Sequence, residues 1–347
     1  QSKQSKQKSF SLFEHCSGVY AAEEKNTLTT LHKDNIYLIV SPPFTAEEQM
    51  LGWRTRSDIE AYTLSLASKS QIGLAHAQGM RPTMEDAHLA EDLTLSIASQ
   101  DIPIQVFGVF DGHSGPLVAR ALSIYLSGTL KDLLEQNNAF GLNEAGITQA
   151  LQMVLPHLQM KLYNDKSVLP LPNGNCTNWQ ETLKEQGSTA VFAVRIEDKL
   201  WVANTGDSRA LYISPTGETK QISADAIPSM NRHRTHIEAT GHSVLTPPGD
   251  VPRIDGMLAP ACTIGDLKYG VAAQSTSRIT CISPEKEGTL LLGCDGVFDV
   301  ASSNAVGNLV HARKNKGDST ASIAFYVAYA ALASGSTDNV SVMCVAT

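Results

Sequence analysis

Short runs of β-branched, aromatic and other apolar residues recur along the chain, and each is typical of a β-strand. Two of them, 188–196 and 199–205, are separated only by Glu197 and Asp198, and this spacing predicts a β-hairpin. Five further runs predict single strands. They cover residues 36–40, 73–78, 102–110, 289–294 and 339–346.

Longer segments carry apolar residues three and four positions apart, which is the period of a helix that buries one face. These helices are predicted at 116–136, 144–163, 303–313 and 319–333, the last ending near Gly335 as its C-cap. A further helix is predicted over 57–67. Strands and helices occur in blocks without strict alternation, which favours antiparallel sheets with helices packed outside over a doubly wound parallel sheet.

Composition narrows the class of protein. The 347 residues are 42% hydrophobic, enough for a large core, and the net charge of -8 argues against a nucleic-acid binder. No apolar run is long enough for a membrane span.

Residues 1–70 carry no catalytic signature, and we interpret them as an extension of unknown role before a catalytic domain at 71–347. The polar, basic start is not an intact signal peptide. Because the first residue is not Met, a targeting signal that has been removed stays open.

The chain has six cysteines, and none lie in a C-x-x-C pair or at a zinc-binding spacing. Cys281, Cys294 and Cys344 lie in apolar runs, so we predict that they are small core residues. A reducing compartment, the cytoplasm, is therefore expected. Delivery to another compartment or to a host cell stays open.

Acidic residues stand at the ends of several predicted strands. Asp111 and Asp295 each follow a strand, and Asp338 precedes one. The pair Glu85 and Asp86 follows the first strand of the catalytic domain. A single Asp-Gly most often marks a turn. Several carboxylates at one sheet edge would repel one another, and a pair of divalent cations would offset that repulsion. Hard oxygen ligands select Mg²⁺ or Mn²⁺ over zinc.

Six segments in order resemble the signature motifs of the metal-dependent, type-2C protein serine/threonine phosphatases. The resemblance implies an α+β fold with a central β-sandwich of two antiparallel sheets flanked by helices on both sides. It also implies that water, activated at a binuclear Mn²⁺ or Mg²⁺ centre, hydrolyses phosphoserine and phosphothreonine in phosphoprotein substrates. The segments are 78–88, 106–115, 187–194, 201–212, 293–300 and 336–342.

The resemblance assigns metal ligands residue by residue. Asp111 matches the carboxylate that bridges the two ions, and the carbonyl of Gly112 is a further ligand. Glu85 matches a ligand of one ion. Asp295 and Asp338 match ligands of the other ion.

Three more residues match catalytic roles of the family. Asp86 matches an outer acid that holds metal-bound water, and Arg81 matches the residue that binds the substrate phosphate. A guanidinium group suits that role because its planar fork donates to two phosphate oxygens and stays charged. His113 matches the proposed general acid, which would protonate the serine or threonine alkoxide as it leaves.

Two stretches depart from the family pattern. Residues 225–228 are Asp-Ala-Ile-Pro where the family usually has Asp-His-Lys-Pro, and 262–266 lose the usual arginine. Asp225 matches a ligand of a third, weaker metal, and Asp299 matches an acid near it. The region of about 226–280 corresponds to the flap thought to shape substrate choice.

Two alternatives to an active phosphatase remain at this stage. A pseudophosphatase would fold and recruit partners without turnover, and the altered flap and the N-terminal extension motivate it. Retention of all four carboxylate ligands weighs against it, because degenerate members usually lose ligands. A metal-dependent nuclease would use similar chemistry but lacks the basic surface that nucleic acid requires. We expect a monomer.

Overall fold

The computed structural model describes residues 37–39, 59–66, 71–138, 141–165, 179–273 and 275–347. No helix in these ranges combines the length and the apolar character needed to cross a membrane. The strands are β1 (Tyr37–Ile39), β2 (Glu60–Ser65), β3 (Gln71–Ala77), β4 (Ala87–Ile97), β5 (Gln100–Phe110), β6 (Gly112–His113), β7 (Gly187–Ser188), β8 (Ala190–Ile196), β9 (Lys199–Thr205), β10 (Arg209–Ile213), β11 (Thr219–Gln221), β12 (Val244–Leu245), β13 (Arg253–Ile254), β14 (Ile264–Gly265), β15 (Arg278–Ile282), β16 (Thr289–Gly293) and β17 (Val340–Ala346). The helices are α1 (Leu117–Asn137), α2 (Glu144–Asn164), α3 (Trp179–Glu185), α4 (Asn231–Ala239), α5 (Asp295–Phe298), α6 (Ser303–Asn315) and α7 (Thr320–Ala333), with a 3-10 helix at Leu267–Ala272.

The described residues form two compact units, each with its own sheet and apolar core. The first unit takes the described residues up to Met84, together with Ala210–Ile222 and Pro284–Thr347. The second unit takes Glu85–Arg209 and Ser223–Ser283.

The first unit is built on a seven-stranded sheet in the order β1-β2-β3-β17-β16-β10-β11. The central strand β17 pairs antiparallel with β3 on one side and β16 on the other. Helix α7 packs on β2, β3 and β17, and α6 packs against α7. Ser302 and Ser319 cap the N-termini of α6 and α7, since each hydroxyl accepts a backbone N–H three residues on.

The predicted helix over 57–67 is wrong, because Glu60–Ser65 forms strand β2. This strand pairs antiparallel with β3 and with β1, and its Ala61 is fully buried. Pairing with the edge of β3 satisfies the backbone of β2, and this long-range contact outweighs local helix propensity. Strands from both sides of residue 70 therefore share one sheet, while the domain boundary itself stays a prediction.

The second unit has a five-stranded antiparallel sheet in the order β15-β9-β8-β5-β4. The predicted hairpin is confirmed, since β8 and β9 pair up to Ile196 opposite Lys199, with Glu197 at a φ of 54° in the turn. Helix α1 packs on β4, β5 and α2. The eight apolar positions that predicted α1 are all buried: Leu117, Val118, Ala121, Leu122, Leu126, Leu130, Leu133 and Leu134.

A smaller layer of the second unit was not predicted. It contains the three-stranded sheet β14-β7-β6, the β12–β13 pair and helix α4, with a core of its own around Ile237 and Ile254. Of the three cysteines predicted as core residues, Cys294 and Cys344 are buried, but Cys281 is exposed. Cys281 lies on β15 at the edge of the sheet, a strand on which no side chain is fully buried. The predicted α+β class with antiparallel sheets is confirmed.

Candidate metal centre

The acids of the second unit are brought together where strands β4 and β5 pair. Ala87 lies opposite Phe110, so Glu85 and Asp86, just before β4, lie beside Asp111, just after β5. A Cβ atom on Gly112 would lie only 2.4 Å from the carbonyl oxygen of Glu85. Only glycine permits that approach, so the Asp-Gly pair brings the two acidic segments into contact.

The backbone of Asp111 is held by the second unit's interior. Its N–H donates to the hydroxyl of Thr189 at 3.3 Å, and the N–H of Thr189 donates to its carbonyl oxygen at 2.9 Å. The Thr189 hydroxyl also bonds the fully buried Ser208 hydroxyl at 2.7 Å. Residues 206–209 (Gly-Asp-Ser-Arg), which include Ser208, therefore support the position of Asp111 through Thr189.

The acids of the first unit are brought together in a similar way. Asp295 begins α5 after β16, and Asp338 lies just before β17, which pairs with β16. A Cβ atom on Gly296 would lie 2.1 Å from the carbonyl oxygen of Asn339 and 3.4 Å from the Cβ of Asp338. The glycine therefore lets the start of α5 approach the start of β17 closely enough to place Asp295 beside Asp338.

Arg81 forms an ion pair with Asp338. Its Nη2 atom donates to Oδ2 of Asp338 at 2.5 Å. The side-chain amide of Asn339 fixes the loop that carries Arg81, because it donates to the carbonyl oxygens of Gln78 at 2.7 Å and Thr83 at 3.0 Å. The Arg81 side chain is 56% exposed and can reach solvent-borne anions, but here it binds a predicted metal ligand.

His113 has a buried carboxylate partner that the sequence reasoning missed. Its Nε2 atom lies 2.7 Å from Oδ2 of Asp266, whose side chain is 2% exposed. Asp266 adopts a left-handed φ of 48°, and its N–H donates to the carbonyl oxygen of Gln186 at 3.0 Å. A signal was available, because Gly265 and Asp266 are the part of the altered 262–266 stretch that still matches the family.

The two acids assigned to a third metal belong to different units. Asp225 accepts two hydrogen bonds from Arg209 in the second unit, from Nη2 at 2.5 Å and from Nε at 3.3 Å. Asp299 follows α5 in the first unit, and its N–H donates to the carbonyl oxygen of Asp295 at 2.8 Å. A metal at Asp225 would compete with a two-pronged guanidinium pair, and the third site stays a prediction.

The donor set of both acidic groups fits Mg²⁺ or Mn²⁺. Each offers carboxylate oxygens, and Gly112 can add a backbone carbonyl, which are the hard ligands these ions prefer. The nearest soft donor in the first unit is the sulfur of Cys294, which accepts the N–H of Ser341 at 3.1 Å and is buried. Ions bound by such ligands can activate water and polarise a phosphoryl oxygen.

Comparison with known proteins identifies the family. The Protein phosphatase 2C family model matches residues 70–340. Probable protein phosphatase 2C 17 of Arabidopsis thaliana is 32% identical over 224 residues, which are 64% of this chain and 70% of that protein. Protein phosphatase 2C homolog 2 of Saccharomyces cerevisiae is 27% identical over 255 residues, 70% of this chain but 50% of the relative. The chain belongs to the protein phosphatase 2C family, whose members are metal-dependent protein phosphatases that typically use Mn²⁺ or Mg²⁺ and act on phosphoproteins.

Solved structures show the same fold. A phosphatase from a pathogenic strain of Toxoplasma gondii has a TM-score of 0.64 at 22% identity, covering 83% of this chain and 95% of that one. A C. elegans sex determining protein also has a TM-score of 0.64 at 22% identity, covering 79% of this chain and 64% of that one.

Proposed function

We propose that this protein removes phosphate from phosphoserine and phosphothreonine in proteins, with two Mn²⁺ or Mg²⁺ ions as cofactors. The proposed ligands are Glu85, Asp111, the carbonyl of Gly112, Asp295 and Asp338. The observation that carries the proposal is the pair of close approaches at Gly112 and Gly296, which group these acids within each unit. Acids grouped in this way need a cation to offset their repulsion.

When bound, such ions activate water at neutral pH and neutralise phosphoryl oxygens. The chain's own residues would do the rest. Asp86, which is 8% exposed, would accept a hydrogen bond from the attacking water and orient it. Arg81 would bind two oxygens of the substrate phosphate, exchanging its contact with Asp338 for that fork-shaped pair.

His113 would donate the proton that the leaving serine or threonine oxygen needs. Its Nε2 atom is engaged by Asp266, so its Nδ1 atom is the one left to face a substrate. The buried carboxylate would hold the imidazole ring in that orientation. We assign Asp266 as a positioning residue for His113.

The test is hydrolysis of a phosphothreonine peptide and of p-nitrophenyl phosphate by the full chain with Mn²⁺. We expect turnover that chelator abolishes and that Asp111→Ala reduces to background. Asp132→Ala is a matched control, because Asp132 is an exposed acid on α1 of the same unit, and it should keep wild-type activity. Mn²⁺ binding by calorimetry without hydrolysis of either substrate would contradict the proposal and favour a pseudophosphatase.

Three further parts of the proposal go beyond the family assignment. We propose a monomer located in the cytoplasm, and the free cysteines Cys262, Cys281, Cys294 and Cys344 support a reducing compartment. We also propose that Asp225 and Asp299 contribute to a weaker third metal site. Sedimentation, cell fractionation and the stoichiometry of bound Mn²⁺ test these points separately.

A further inference from the structure

A second concave site lies in the small layer of the second unit. It has a volume of about 240 Å³ and is bounded by α4, the end of β9, the start of β15 and the loop that carries Cys262. Ala226 lines it too and directly follows Asp225. None of the pocket residues was assigned a role in the reaction proposed above.

Two arginines give the pocket its charge. Arg232 of α4 and Arg278 of β15 both line it, and both are exposed. Arg232 donates to the carbonyl oxygen of Asp225 at 3.3 Å and to Nε2 of His233 at 3.0 Å, so its charge has no carboxylate partner within the described ranges. Arg278 makes no ion pair with any residue that the structure describes. The pocket therefore carries two guanidinium groups that form no ion pair within the described residues, on a chain with a net charge of -8.

His233 lines the same pocket as the two arginines. The pKa of His233 is lowered to about 4, first by burial and then by the positive charges of Arg232, Arg278 and His236. At neutral pH the ring is therefore uncharged, and its Nε2 accepts the hydrogen bond from Arg232. Asp207 is an acid near enough to act on the pocket residue Cys262, and the carboxylate of Asp225 already binds Arg209.

Asn204 gives one wall of the pocket a fixed geometry. Its side chain lines the pocket and is 2% exposed, and its Nδ2 atom donates to the carbonyl oxygens of Gly206 at 3.2 Å and Ala224 at 3.1 Å. These two bonds fix the orientation of the amide. Its Oδ1 atom is buried without a hydrogen-bond donor. The pocket therefore offers two guanidinium groups to an anion, beside a side-chain amide of fixed orientation.

We propose that this pocket binds a second phosphate group, carried by the same phosphoprotein substrate whose first phosphate is hydrolysed. A phosphate monoester carries a charge of about -1.5 to -2 at neutral pH, which matches two guanidinium groups. The volume is below the roughly 300–1,000 Å³ typical of small-molecule sites, and it suits a phosphorylated side chain that enters from a bound peptide.

This inference rests on the proposed phosphatase function, and the experiment separates the two. The substrates are phosphothreonine peptides in which a second phosphoserine is moved one position at a time, each compared with its serine counterpart. With the full chain and Mn²⁺ we expect at least one position at which the second phosphate lowers KM by about tenfold, as one charge-assisted contact would.

Variants locate the effect. Arg232→Gln and Arg278→Gln should each remove the KM advantage of the doubly phosphorylated peptide over its counterpart. Arg234→Gln should keep it, because Arg234 lies on the same helix but binds Glu238 and does not line the pocket. The inference is wrong if no position gives an advantage, or if Arg234→Gln removes it as Arg278→Gln does.

Two further outcomes are informative. If the chain hydrolyses no peptide, the phosphatase proposal fails, and binding of the same peptides by fluorescence anisotropy still tests the pocket through Arg278→Gln. If the peptides show no preference but free O-phosphoserine binds by calorimetry in a manner that needs Arg278, the substrate-borne ligand is refuted and the pocket belongs to a free phosphate monoester.

Discussion

Replacing Asp266 by asparagine tests whether the buried partner of His113 works through that histidine. The substitution keeps the shape of the side chain and can keep a hydrogen bond to Nε2, which now lies 2.7 Å from the carboxylate. It removes the negative charge. Because the aspartate is 2% exposed, solvent cannot replace that charge.

The size of the effect follows from this contact. A hydrogen bond between an ionised pair contributes about 1.5–3 kcal/mol. If that contact contributes its energy in the transition state, its loss slows the reaction by about tenfold to a hundredfold or somewhat more. The loss should appear in kcat, since the proton is delivered only as the bond to the leaving oxygen breaks.

The assay compares two leaving groups. The threonine alkoxide of a phosphopeptide needs a proton, whereas p-nitrophenolate leaves readily without one. Asp266→Asn should therefore lower kcat on the peptide by the amount above and leave p-nitrophenyl phosphate nearly unaffected. A merely structural role for Asp266 would lower both rates together.

Two controls make the test decisive. Asp250→Asn is a matched change at a surface acid of the same unit that pairs with Arg253, and it should alter neither rate. In a His113→Asn background, Asp266→Asn should cost little more, because residues that act as one unit are not additive. Equal losses on both substrates, or a full additional loss without His113, would refute the reasoning.

Three other predictions follow from named contacts. Arg81→Ala should raise KM on phosphopeptides more than it lowers kcat, and a loss in kcat alone would show that it does not bind the substrate phosphate. Gly296→Ala should weaken Mn²⁺ binding by at least tenfold in calorimetry, because its Cβ would lie 2.1 Å from the carbonyl of Asn339, whereas Gly128→Ala, with open space around it, should not. Because the pKa of His233 is about 4 when folded and 6.5 for a histidine in water, the unfolded chain binds the extra proton between these values. Stability should fall as pH drops from 6.5 towards 4, by on the order of 1 kcal/mol after discounting for its partial exposure, and urea unfolding of a His233→Asn variant should lack this slope.

The sequence predicted best those elements whose pattern is local and strong. Helix α1 is an example, since its apolar positions repeat with the helical period and all of them are buried. The hairpin of β8 and β9 is another, because two strands separated by a two-residue turn need no distant partner. The acids at strand ends could be identified from the sequence because each adjoins a strand with a strong local pattern.

Elements that depend on distant partners were missed. Strand β4 contains Glu91 and Asp92 and lacks a clear apolar alternation, and it is defined by pairing with β5 along its whole length. Pairing with β3 decides the conformation of β2. The local sequence does not show this pairing, so the segment was predicted as a helix. Asp266 lies 153 positions from His113, and no local pattern connects them.

The two Asp-Gly pairs show that a local sequence pattern can indicate the wrong role for a glycine. Taken alone, each pair indicates a turn in which glycine adopts a left-handed conformation. Neither Gly112 nor Gly296 has a positive φ, so neither is required for that conformation. Each is required for space, because a side chain there would collide with a backbone carbonyl of a neighbouring acidic segment. Glycine at two strand ends therefore brings together acids that repel one another. Because the fold accepts this repulsion in two places, its strand ends are suited to binding cations.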